Sequence, residues 1–144
     1  MTDHLEHVHT DEHDPKYAMP YTPAIKVHGG RTVYLAGVTA APVYHSHPHV
    51  PSEFDAIPLD PGDQARAAVA NMLKVLEAAG GGPEHLVEVT RYIVDIEVNQ
   101  DGVNRAFAEV LGTHRPASTT VEVTALATDP RLVVELKAVA VVPE

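Results

Sequence analysis

Between Arg131 and Val142 the chain reads RLVVELKAVAVV, and no other stretch limits the possible folds so tightly. Leu132, Val134, Leu136, Ala138, Ala140 and Val142 occupy every second position, so a strand here turns all six to one face. An apolar row of that length has to be covered, which places the strand inside a sheet under packed helices. The alternate row is Val133, Glu135, Lys137, Val139 and Val141. Three valines turned to water would leave an apolar patch that a monomer seldom carries. The second face is therefore expected to be an oligomer interface, with Glu135 at or near the subunit boundary.

The helices that could supply the cover are legible upstream. Asp60 suits an N-cap, Pro61 the first helical position, and Asp63 the positive end of the dipole. Ala65, Ala68, Val69, Met72, Leu73 and Leu76 then recur at three- and four-residue spacing until Gly80–Gly82. A second, shorter helix carries Val103, Ala106, Phe107, Val110 and Leu111 on one face and stops at Gly112. Strands are expected at Ala24–His28 and Thr32–Thr39, as a hairpin through His28-Gly29-Gly30-Arg31, and at Leu86–Ile96. Two more, Ser118–Leu126 and Arg131–Val142, close the chain around a turn at Asp129-Pro130. On the first of these, Val121, Val123 and Ala125 are assigned to the helix side. Ser118, Thr120, Glu122 and Thr124 are assigned to the face that bears Glu135.

The expected order is β-β-α-β-α-β-β, an α+β fold whose two helices cover one face of the sheet. One domain, residues 17–144, accounts for it. Residues 1–16, crowded with histidine and acids and without period, are expected to form a mobile arm. Residues 40–59 hold four prolines and three histidines and are expected to form a long loop near the functional cleft.

Composition narrows the function. A net charge of −10, from 20 acids against 10 lysines and arginines, argues against nucleic acid or an anionic membrane as partner. The absence of cysteine removes disulfides, thiolate metal sites and a cysteine nucleophile. Neither a secretory signal pattern nor a membrane-length apolar run is present, so a cytoplasmic protein is expected. His45, His47 and His49 alternate, as metal ligands on an extended segment would. Pro42, Pro48 and Pro51 favour a loose loop there instead, and neither metal nor cofactor is expected.

Six stretches together resemble the reactive intermediate deaminase (Rid) family: YTPAIKVHGGRTVYLAG, QARAAVANMLKVLEAAG, LVEVTRYIVDI, VNRAFAEVLG, RPASTTVEVTALA and VVELKAVAV. They cover nearly everything from Tyr21 onward. The resemblance implies a chorismate-mutase-like fold, a homotrimer, and cofactor-free hydrolysis of reactive enamines or imines between subunits. It also implies roles at particular positions. Tyr21 matches the family's tyrosine, Gly37 the glycine ending its second strand, and Asn104 the asparagine of its VN motif. Thr120 matches the residue whose main chain holds the substrate nitrogen, with Thr119 beside it, and Glu135 the carboxylate that positions water.

One position departs from the pattern. Active relatives read proline-alanine-arginine at the entrance to the penultimate strand, and that arginine grips the substrate carboxylate. Here the sequence is Pro116-Ala117-Ser118. A hydroxyl cannot reproduce a charged two-pronged grip. The substrate is then expected to differ from simple 2-aminoacrylate, or another cation, with Arg115 the first candidate, to replace the clamp. The alternative is a non-catalytic relative that binds or senses a small metabolite. The longer 40–59 segment also resembles that of 2-aminomuconate deaminases, which act on larger unsaturated amino acids.

Overall fold

The computed structural model describes residues 2–144. Its strands are β1 (Leu5–Val8), β2 (Ala24–Val27), β3 (Arg31–Tyr34), β4 (Leu86–Ile93), β5 (Ala117–Glu122) and β6 (Val134–Val142). Its helices are α1 (Pro61–Ala78) and α2 (Ile96–Leu111). The main sheet runs β3-β6-β4-β5, and β1 and β2 form a separate two-stranded ribbon.

The closing strand sits inside the sheet as its pattern requires, with β3 on one side and β4 on the other. Val134, Leu136, Ala138, Ala140 and Val142 are buried beneath α1 and α2. α1 contributes Ala65, Ala68, Val69, Met72 and Leu76 to that core, and α2 contributes Val103, Ala106, Phe107 and Leu111. The start of α1 is as its residues dictate: the Asp60 side chain accepts a hydrogen bond from the Asp63 amide at 2.9 Å. α2 begins directly after β4 and is longer than its apolar stripe suggests. Its first amide, Ile96, donates to the Glu122 carboxylate from the end of β5 at 3.0 Å.

Three features depart from the sequence expectation. First, β2 and β3 do not form a hairpin. β2 pairs antiparallel with β1, drawn from the arm expected to be mobile, and β3 pairs antiparallel with β6. At the turn between β2 and β3, Gly30 has a φ of +91°, and a Cβ there would lie 2.6 Å from the Val142 carbonyl. The chain is therefore pressed against the end of β6 and re-aimed into the main sheet. The arm also covers Val141, which is 2% exposed, and His4 Nε2 meets its carbonyl at 2.8 Å.

Second, β5 and β6 are consecutive but not adjacent, because β4 lies between them and runs parallel to β5. Third, the two rows of β5 are exchanged relative to expectation. Val89 pairs with Ser118 and Arg91 with Thr120, while the same two β4 residues pair with Ala138 and Leu136 of the helix-side row. Ser118 and Thr120 thus face α2, and Val121 lies on the open face with Tyr92 and Glu135. As an edge strand, β5 buries neither row completely, so apolar alternation alone does not set its orientation.

Residues 40–59 are shaped by their own small core. Phe54, Ile57 and Leu132 are buried together against Tyr44 and Leu126. Arg131 pins this segment, reaching Asp55 at 2.9 Å, the Pro51 carbonyl at 2.8 Å and both carboxylate oxygens of Asp129. These bonds hold the Asp129 carboxyl below the usual range and the Arg131 guanidinium above its own. Gln64, fully buried on α1, closes the seam. Its amide donates to the carbonyls of Pro58 and Arg131 and accepts from the amides of Val133 and Val134.

Candidate functional site

Past Tyr34 the chain continues along β6 without regular pairing. Leu35 donates to the Ala138 carbonyl, and Val38 exchanges two backbone bonds with Leu136. Tyr34 pairs with Val139 and Val38 with Leu136, so four residue steps on one side oppose three on the other. That extra residue is a bulge. It brings Gly37 over the side chain of Glu135, where a Cβ at 37 would lie 2.9 Å from Oε2. The pair lines an open cleft of about 660 Å³ between this edge, α1 (Asn71, Lys74) and residues 41–44.

The other expected residues gather at the opposite edge of the sheet. Tyr21, Asn104, Arg115, Ser118 and Thr120 line a cleft of about 380 Å³ between α2 and β5. Tyr21 is placed by its neighbour: the Thr22 hydroxyl bonds the Arg115 carbonyl, and its amide bonds the Pro116 carbonyl at 3.2 Å. Ser118 and Thr120 enter because they share the helix-side row of β5, and Thr119 points to the open face. Arg115 itself is turned back on the main chain, with Nη1 donating to the carbonyls of Gly112 and His114.

One residue of this second cleft was not singled out by the sequence. Arg91, 8% exposed, lies on its floor. It occupies the helix-side row of β4 between Val89 and Ile93, both fully buried. Nη1 donates to Asn104 Oδ1 at 2.8 Å, and the guanidinium lies 5.1 Å from the centre of the Phe107 ring. Burial pushes its pKa down from the ordinary range. The signal was present as a period of two, VTRYI, with the charge on the row that also holds Val89 and Ile93.

The expected residues therefore form two groups within one chain, Gly37 with Glu135 at the β3 edge and the rest at the β5 edge. The open face between them bears Tyr34, 78% exposed, and Val121, 39% exposed. The alternating histidines are not gathered with either group. Tyr44 packs against both His47 and His49, with ring centroids 5.6 and 4.7 Å away, and the two histidine rings are 5.8 Å from each other. Among the described residues no group of three or more His, Asp or Glu side chains is arranged to hold a metal ion.

The family model for Endoribonuclease L-PSP matches residues 11–142. The chain belongs to this family. A RutC family protein of Pyrococcus horikoshii is 32% identical over 129 residues, covering 90% of this chain and 92% of its own. The crystal structure of YyfB, a conserved Rid-family protein of Yersinia pestis, superposes with a TM-score of 0.77 at 23% identity, covering 96% of this chain and 99% of its own. TdcF of E. coli, solved with bound serine, gives 0.63 at 25% identity, covering 85% and 88%. The Rid resemblance read from the residues is thus correct, and so is the α+β arrangement of two helices against a sheet. No helix among the described residues is long and apolar enough to cross a membrane.

Proposed function

We propose that this Rid-family chain hydrolyses a reactive enamine or imine to ammonia and a carbonyl compound, in clefts assembled between the subunits of a cytoplasmic homotrimer. The observation that carries the proposal is the division of the candidate residues between opposite edges of one sheet. A two-fold dimer joins like edges. A head-to-tail contact sets the β3 edge of one copy against the β5 edge of the next, and closes into a ring. Tyr34, Val121 and Val139 on the open face supply apolar surface for that contact.

In the joined cleft the enamine is taken as its imine tautomer. Glu135, steadied under Gly37, holds a water at the imine carbon. Water adds, the proton it releases passes to nitrogen, and the resulting carbinolamine expels ammonia as the carbonyl forms. Tyr21 and Asn104 hold the substrate, and the main chain at 118–120 holds its nitrogen. The C=N bond is electrophilic already, so placing water supplies much of what is needed. That the relative TdcF was solved with bound serine supports a cleft sized for an amino-acid-like molecule.

The test is carbonyl release from imines generated in place, with spontaneous hydrolysis subtracted. The wild-type chain should accelerate it, and Glu135→Ala should lose the acceleration while keeping the oligomer. Equal rates in the two proteins would overturn the role of Glu135. No acceleration by the wild type across a panel of imines would leave the chain a binding protein.

A further inference from the structure

Arg91 is an unusual residue to find where it is. Its row of β4 faces the helices, its sequence neighbours on that row are Val89 and Ile93, and its partner on β6 is Leu136. A buried charge is costly and is ordinarily matched by a carboxylate. Among the described residues Arg91 forms no ion pair, since every salt bridge involves other groups. A guanidinium carries five N–H donors. One is satisfied by Asn104, and Nε is buried with no hydrogen-bond partner among the described residues. The guanidinium lies over the Phe107 ring, 5.1 Å from its centre. A leucine or methionine would fill this position at less cost to the fold, so packing does not account for the charge.

The surroundings fit a missing anion. The cleft above Arg91 is lined by hydroxyls and amides from Tyr21, Gln100, Asn104, Ser118 and Thr120. Its lining contains two arginines and no acid, in a chain whose net charge is −10. Arg115, the cation expected from the sequence to do this work, turns Nη1 back onto two backbone carbonyls. Arg91 is paired directly across from Thr120, one strand spacing away, with Ser118 two residues along the same edge. The small Ser118 side chain leaves that edge open above the guanidinium.

We propose that Arg91 is the carboxylate-binding residue of the β5-edge cleft, gripping a small organic acid with help from the hydroxyls of Ser118 and Thr120. The ligand class is a monocarboxylate, and the grip comes from the floor of the cleft through β4 rather than from the mouth of β5. For turnover this rests on the hydrolase reading above, which would make the substrate an imine bearing a carboxylate. Binding itself does not depend on it.

Calorimetric titration tests the proposal without turnover, using pyruvate, 2-oxobutanoate and benzoate, each beside its uncharged amide. The wild-type oligomer should bind at least one acid and discriminate against its amide. Arg91→Met, which keeps the packing volume, should weaken that acid by tenfold or more, the scale of a lost charge-assisted bond. Arg91→Lys should recover part of the loss, and Arg91→Met should melt no lower than wild type. Four results overturn the proposal: no acid preferred over its amide, equal binding by Arg91→Met, a melting temperature for Arg91→Met well below wild type that marks the charge as structural, or inorganic phosphate bound as tightly as the acids. The two readings fail separately. Loss of acid binding in Arg91→Met with no wild-type imine hydrolysis keeps the carboxylate site and removes the hydrolase. Imine hydrolysis with unchanged KM in Arg91→Met does the reverse.

Discussion

Gly37→Ala tests how tightly the bulge holds Glu135. A Cβ at position 37 would stand 2.9 Å from Oε2 and 3.2 Å from Cδ of Glu135, where ordinary contact begins near 3.4 Å. The carboxylate must therefore retreat by about 0.5 Å, the difference between 2.9 and 3.4 Å, and the long side chain lets it do so at little cost to folding. Gly37 does not occupy the left-handed region, so the alanine brings no backbone strain. A misplacement of 1 Å costs roughly a hundredfold in a reaction that depends on positioning, so half of it should cost about tenfold, or ~1.4 kcal/mol. The assay is carbonyl release from imines generated in place, with kcat and KM measured separately. The loss should fall on kcat, because substrate contacts lie on the other edge. Melting temperature and oligomer mass should match wild type, and Glu135→Ala should be slower than Gly37→Ala. A Gly37→Ala enzyme as fast as wild type, beside an inactive Glu135→Ala, would refute the claim that the glycine sets the carboxylate.

Gln64→Leu should destabilise strongly, because four main-chain groups lose their partner at once. About 3 kcal/mol is expected, or a melting temperature lower by roughly 10 °C, and a shift below about 2 °C would show the seam to be unimportant. Burial, with smaller contributions from His114 and His9, holds the His7 pKa below its ordinary value. The unfolded segment thus takes up protons first, so this contribution is full above about pH 6.5 and is lost as pH falls through the lowered value. The protection of the Leu5–Val8 amides relative to their intrinsic exchange rate should fall on mild acidification, and should lose that pH dependence in His7→Gln. Light scattering at micromolar concentration should return three times the 15.5 kDa chain mass, and a monomer would sink the edge-to-edge assembly.

The parts of the fold that were legible are those where one physical requirement dominates. Asp60-Pro61 marks the start of α1 because a cap and a fixed φ act locally, and the β6 row announces itself because it is apolar at every second position. β1 was not legible: a two-stranded ribbon buries little, so Leu5–Val8 carries no alternation to see. The orientation of β5 was misread because Val121 and Val123 look like core residues, yet at an edge the hydrophobic pattern is a weak guide. Tyr21, Asn104, Ser118 and Thr120 stand out through the family resemblance of the stretches around them, and the fold brings them into one cleft. Arg91 escaped because a charge inside a strand reads first as a solvent residue. The period of two that sets it on the row of Val89 and Ile93 was the available signal, and its β4 register opposite Leu136 shows that it points inward.

The placement of the two groups of residues on opposite edges has a genetic consequence. If every working cleft draws one half from each of two chains, a chain damaged at Glu135 and a chain damaged at Asn104 are each silent alone. Refolded together in equal amounts they should assemble at random, and about a quarter of the clefts would then receive two undamaged halves. Two inactive alleles would thus restore function to each other. A single inactive allele beside a normal one would silence only its own share of the clefts, because each damaged chain still lends its intact half to a neighbour.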